Sequence, residues 1–242
     1  LALDDGMDAT DAPTATGTTV TGETWNPRGA RIREAFLDAL PLAVGLLAEP
    51  AVAAAWDEPS ALKDFPVRGL AGHTFWQELA LPGLLADPLP AQPVIPLREY
   101  YLDRVIWLDA GADGDVSVRI RKGGEATAAD GHAALLARVR DAAGRLAAEL
   151  PGLPAVRPVH IPSWGDWSLE LDDFLLTRLL ELVVHADDVA VSTGLPTPAF
   201  PEHVTVPAIE LLTRLAVRRH GTTGVIRGLA RAERAPESIA GI

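Results

Sequence analysis

The sequence contains no cysteine at all. Disulfide staples, thiolate metal ligands and protein-thiol nucleophiles are therefore excluded together. Lysine is nearly absent too: of 21 basic residues, only Lys63 and Lys122 are not arginine. Positive charge is scarce overall, because 33 acidic residues leave a formal charge of −12. That balance argues against nucleic acid or an anionic membrane surface as the main partner. Long apolar runs are missing as well. The charge-free stretch of the first apolar segment, residues 39–48, falls well short of the ~20 residues of a membrane-spanning helix. No positively charged apolar leader is visible, so the expected location is cytoplasmic. The arginine preference, with heavy Ala, Gly and Pro use, matches the coding bias of a high-GC bacterium.

What is present is ordinary for a globular protein. The chain has 242 residues, 48% hydrophobic and 22% charged, enough for one domain, or one domain with an appendage. Residues 1–24 are rich in Thr, Asp, Ala and Gly and read as a disordered tail. Asn26-Pro27 reads as a helix cap with proline in the first turn. Behind it Ile32, Phe36, Leu40, Val44 and Leu47 recur at helical spacing, with a kink expected at Pro41 and a break near Pro50. A second helix is predicted from Pro66, with Val67, Leu70, His73 and Gln77 on one face. A proline-dense loop should follow from Pro82 through Pro96. Val116, Val118 and Ile120 alternate with polar residues, which predicts a half-buried strand paired with residues 103–108. A hairpin turn is the expected form of the acidic loop from Asp109 to Asp115, because a calcium loop would need an acid where Ile120 stands. A third helix is expected over 128–150 and a short strand over 156–161. The clearest helix spans 171–191, with Asp172 and Asp173 in its first turn, where the dipole favours them. Beyond Pro201 a further helix carries Val206, Ile209, Leu212 and Leu215 to Gly221, followed by a short element near 225–230. The reading is a mainly α four-helix bundle over 25–199 with small β decorations, and a short helical extension over 200–242 packed on it.

Arg178, Glu181, His185 and Asp188 are spaced by three, four and three, which puts them on one stripe of the 171–191 helix. An ordinary solvated face would look the same, with Arg178 and Glu181 as a helix pair. The neighbours Leu182, Val183 and Val184 place the Glu181–His185 edge near the core instead, where a charge needs a partner or a metal. His73 lies on an inward face between glycines. Taken alone it reads as a satisfied core histidine; added to Glu181 and His185 it completes two imidazoles and a carboxylate. That set suits Zn²⁺ with an open fourth position and suits iron(II) equally, and spacing does not choose. Trp76 and Gln77, three and four residues after His73, are expected to line any such site. Trp164 and Trp167 fit either a pocket mouth or core anchors. His132, His160, His203 and His220 lack ligand-like neighbours and read as surface or helix-end residues.

Two stretches resemble a known family. Trp56-Asp57-Glu58-Pro59-Ser60-Ala61-Leu62, running into Val67, Leu70 and His73, resembles the W-x-x-P-S-x-L … V-x-x-L-x-x-H opening of the mycothiol-dependent maleylpyruvate isomerase family, in the DinB-like superfamily. Arg178-Leu179-Leu180-Glu181-Leu182-Val183-Val184-His185-Ala186-Asp187-Asp188, followed by Leu195-Pro196-Thr197-Pro198, resembles its R-x-x-E-x-x-x-H-x-x-D metal helix. Arg218-Arg219-His220-Gly221 and the 231–236 segment are similar to the tail of many members. The resemblance implies a DinB-like bundle holding a divalent metal, usually zinc, on His73, Glu181 and His185. It also implies the thiol cofactor mycothiol in some relatives, for isomerisation or thiol transfer.

The missing cysteine fits that implication, since any reacting sulfur must come from a cofactor. The expected activity is thiol transfer to, or cis–trans isomerisation of, a small electrophile. Arg178 is then a candidate for binding a substrate carboxylate or orienting Glu181, and Asp188 for fixing a histidine tautomer. Two other readings remain open: a non-catalytic bundle that binds a metal or small ligand in a regulatory or partner-binding role, and an iron(II) oxygenase on the same ligands. The state expected is monomer or homodimer.

Overall fold

The structure is a computed structural model that describes Trp25, residues 31–105 and residues 114–242. The expected tail over 1–24, the Asn26-Pro27 cap and most of the acidic loop before Gly114 lie outside the described residues.

Helix α1 spans Ile32–Leu47 and runs through Pro41; a short α2, Pro50–Ala54, follows the break expected near Pro50. Helix α3 spans Val67–Ala86. The loop expected from Pro82 begins only after Ala86, because Leu81, Pro82 and Leu85 are all buried and their packing outweighs one lost helical bond. That lost bond is the one Pro82 would have donated to the Glu78 carbonyl. A three-residue α4, Leu97–Glu99, leads into a π-type turn over Tyr100–Arg104.

The strand expected at Val116, Val118 and Ile120 is a helix, α5, over Asp115–Thr127, and residues 103 and 104 belong to the π-type turn, not to a hairpin. The expected hairpin turn is likewise overturned at its end, where Gly114 and Asp115 open α5. Three alternating apolar residues are too few to tell the two periods apart, since Val116 and Ile120 are also one helical turn apart. The feature that seats α5 is Gly124, its one buried residue. A Cβ there would lie 2.3 Å from the Gly69 carbonyl oxygen, and one on Gly72 would lie 2.0 Å from that of Gly124. Only hydrogen fits between these backbones.

Helix α6 spans His132–Glu149 and buries Leu135, Val139 and Leu146; it starts four residues after the expected Ala128, behind a turn with Gly131 at φ 91°. The expected short strand is Pro158–Val159 (β1), paired antiparallel with Leu169–Glu170 (β2). Helix α7, Leu171–Thr193, ends on Gly194 in the left-handed region, as a C-terminal glycine should. Helix α8, Glu202–Ala230, bends at Gly221, where φ is 73°. Its inward stripe is Val204, Pro207, Ala208, Leu211 and Leu215, whereas the expected Val206 and Ile209 face outward. Two neighbouring stripes of this helix are apolar, and periodicity alone does not say which one docks.

Helices α1, α3, α6 and α7 form the bundle: α1 touches α6 and α7, and α3 touches the same two. Phe36, Leu40, Leu70, Leu81, Leu146, Phe174, Leu175 and Leu179 fill its centre. The fold is thus mainly α, a DinB-like four-helix bundle with a two-stranded β decoration and a C-terminal helical extension. Helix α5 packs on α3 from outside, and α8 lies against α1 and α7. No helix among the described residues is long and apolar enough to cross a membrane.

Candidate metal centre

The contact between α3 and α7 brings His73 opposite Glu181 and His185. The spacing of four on α7 stacks its two side chains one above the other on a single face. His73 is braced from behind, since a Cβ on Gly124 would meet its backbone nitrogen at 3.0 Å and its Cβ at 3.1 Å. His185 Nε2 lies 2.9 Å from Glu181 Oε2, and His73 Nε2 lies 3.6 Å from the same oxygen. One donor atom from each of the three falls within 4.8 Å of the others. Two ligands bonded to Zn²⁺ at ~2.0–2.1 Å in a tetrahedron stand ~3.3 Å apart. The two separations from Glu181 bracket that value, so the cluster could hold a cation after small side-chain rotations. The three side chains are 12–19% exposed, enclosed yet reachable from solvent.

The electrostatics of the cluster are set by burial and by its own charges. Burial alone would push His185 down, but hydrogen bonds to Asp188 and Glu181 outweigh it and raise its pKa to about 9. Burial lowers His73, against the pull of Glu181. Burial would raise Glu181, but the two imidazoles and the Arg178 guanidinium hold it well below the usual carboxylate range. One negative charge thus serves three basic groups.

The flanking residues divide clearly. Asp188 Oδ2 accepts from His185 Nδ1 at 2.8 Å, which leaves Nε2 facing Glu181 and any cation. Arg178 is buried; its Nε donates to Thr177 Oγ1 at 3.1 Å and its Nη2 lies 3.9 Å from Glu181 Oε1. Its guanidinium carbon sits 5.7 Å from the Trp164 ring centre and 5.8 Å from that of Phe174. Trp164 therefore lines Arg178, while the buried Trp167 packs edge-on against Tyr100 as a core anchor. Trp76 is half-buried against the core; Gln77 is buried, and its Oε1 has no hydrogen-bond partner among the described residues. Neither is among the three gathered donors.

The remaining histidines have structural partners: Leu47 O for His132, Trp167 O for His160, Asp38 for His203 and Ala240 O for His220. An open groove lined by Leu79, Pro82, Arg138, Asp141 and Arg145 shares no residue with the cluster.

Sequence reasoning passed over two neighbours. Tyr101 is fully buried, and burial, Tyr100 and Glu181 push its phenol well above 10. Glu78 is 1% exposed, and burial pushes its carboxyl up to about 7. The available signal was that Glu78 is the only acidic or basic side chain, His73 apart, between Arg68 and Asp87.

Residues 36–190 match the family model described as the Mycothiol maleylpyruvate isomerase N-terminal domain, a span that includes all three gathered donors. No curated protein and no solved structure gives a match. With well over half of its length covered by that one model, the chain belongs to the mycothiol maleylpyruvate isomerase family.

Proposed function

We propose that this protein is a zinc-dependent cytoplasmic enzyme that activates mycothiol, for sulfur transfer to a small electrophile or for cis–trans isomerisation of one. The observation that carries the proposal is the meeting of His73, Glu181 and His185 in a chain without a cysteine of its own. Two imidazoles and one carboxylate fill three positions of a zinc ion and leave one open, the arrangement of catalytic sites. When bound, the cation supplies a position at which a thiol is held as the nucleophilic thiolate.

The chain's own residues do the rest. Asp188 holds the proton on His185 Nδ1 and so presents Nε2 as a ligand. Arg178, lodged against Trp164 and Phe174, offers its guanidinium to the carboxylate of an acidic substrate. Trp76 and Gln77, one turn beyond His73, line the thiol side. The apolar bundle around the cluster excludes bulk water, which strengthens each of these interactions.

The test is consumption of mycothiol, or its catalytic use, against a panel of unsaturated dicarboxylates and other electrophiles. Zinc-loaded protein should support turnover, and His73→Ala and His185→Ala should abolish it. Stoichiometric metal with no thiol-dependent turnover would favour the non-catalytic binding module. Oxygen uptake with Fe²⁺ in place of thiol use would favour the oxygenase.

A further inference from the structure

Glu78 lies on α3 five residues beyond His73, 1% exposed, and neither of its carboxylate oxygens has a hydrogen-bond partner among the described residues. The charged groups whose fields reach it, Arg178, Glu181 and His185, all come from α7. Burial raises its carboxyl to about 7, with Arg178 as the strongest opposing influence. A buried carboxylate without hydrogen bonds costs more folding free energy than a neutral amide of the same shape.

Arg178 has the complementary shortage. Its guanidinium is buried beside the packed Trp164 and Phe174 rings, with a neutral hydroxyl on Nε and the Glu181 carboxylate 3.9 Å from Nη2. Glu181 is already shared with His73 and His185. A divalent cation among those three would claim the Glu181 charge and set two further positive charges beside the guanidinium. On the metal reading above, we infer that Glu78 is a positioning residue: it is the counter-ion that keeps Arg178 lodged against Trp164 and Phe174 once Glu181 is committed to a cation. Glu78 is then unfavourable in the metal-free protein and favourable in the loaded one. A residue that only filled space would weaken both states when changed.

The experiment measures Zn²⁺ affinity by chelator competition at pH 8, with thermal unfolding of the metal-free proteins alongside. It compares wild type, Glu78→Gln, Glu78→Asp, Arg178→Met and the Glu78→Gln/Arg178→Met double variant. Glu78→Gln should raise the metal-free unfolding temperature yet weaken Zn²⁺ binding roughly 10–100-fold, the usual effect of losing an outer partner. Glu78→Asp should recover part of that affinity. In the Arg178→Met background, Glu78→Gln should change affinity by no more than about twofold. Equal losses with and without Arg178, an unchanged affinity, or a fall in both stability and affinity would each overturn the assignment. Should wild type bind no Zn²⁺, the metal reading fails by itself. The unfolding temperatures then decide the pairing: non-additive if Glu78 and Arg178 are partners, additive if they are not.

Discussion

Adjacent glycines on α5 should respond to the same substitution with opposite signs. Gly123 has nothing within 4 Å of an added Cβ, whereas Gly124 would place that carbon 2.3 Å from the Gly69 carbonyl oxygen. Neither glycine has a positive φ, so alanine is permitted by the backbone at both. At Gly123 the change removes a flexible residue from a helix interior and should stabilise the protein by about 0.5–1 kcal/mol. At Gly124 the obstacle is backbone, so α5 must retreat by about 1 Å, from 2.3 Å toward the 3.4 Å of ordinary contact. Overpacking of this kind costs ~1–3 kcal/mol. With ~2–4 °C per kcal/mol for a chain of this size, thermal unfolding should show a small rise for Gly123→Ala and a clear fall for Gly124→Ala. Because α5 braces His73, Gly124→Ala should also weaken metal binding and Gly123→Ala should not. Equal shifts for the two variants, or a stabilised Gly124→Ala, would refute the close approach of α3 and α5.

Further consequences follow from the charges around the cluster. The Glu78 carboxyl stands at about 7 in the folded protein against 4.5 ordinarily, so the folded state holds its proton more tightly. Its burden on stability is absent below about pH 4.5, grows as pH rises, and is complete above about pH 7, at about 3 kcal/mol from 1.36 kcal/mol per unit. Urea unfolding of the metal-free protein should therefore find Glu78→Gln level with wild type near pH 4.5 and more stable by that order at pH 8; a pH-independent difference would contradict it. Asp188→Asn should weaken metal binding roughly 10–100-fold by releasing the His185 ring, and it should lower the His185 pKa from about 9, readable from imidazole ¹⁵N shifts. Since that raised imidazolium must lose a proton before its Nε2 can bind, affinity should climb with pH up to about 9; a flat profile would argue that His185 is no ligand.

The parts legible in the sequence are those where periodicity, capping and ligand spacing coincide. Helix α7 has acids in its first turn, a left-handed glycine after its last and Glu181 and His185 one turn apart, so its extent and its polar stripe agree with the structure. Helix α5 was illegible because a glycine, which leaves no mark in an apolar pattern, makes its main contact. Helix α8 turns a different face inward because two of its stripes are apolar. Glu78 escaped notice for a related reason: α3 buries residues on nearly every side, so no polar face flags an acid that points inward.

The central claim is that His73, Glu181 and His185 bind one cation together. X-ray absorption at the zinc edge, on protein reconstituted with one equivalent of Zn²⁺, tests it most directly. The account predicts a shell of two imidazole nitrogens and carboxylate oxygen at ~2.0–2.2 Å, with one imidazole lost in each of His73→Ala and His185→Ala. A shell of water oxygens alone, or one unchanged in both variants, would contradict it.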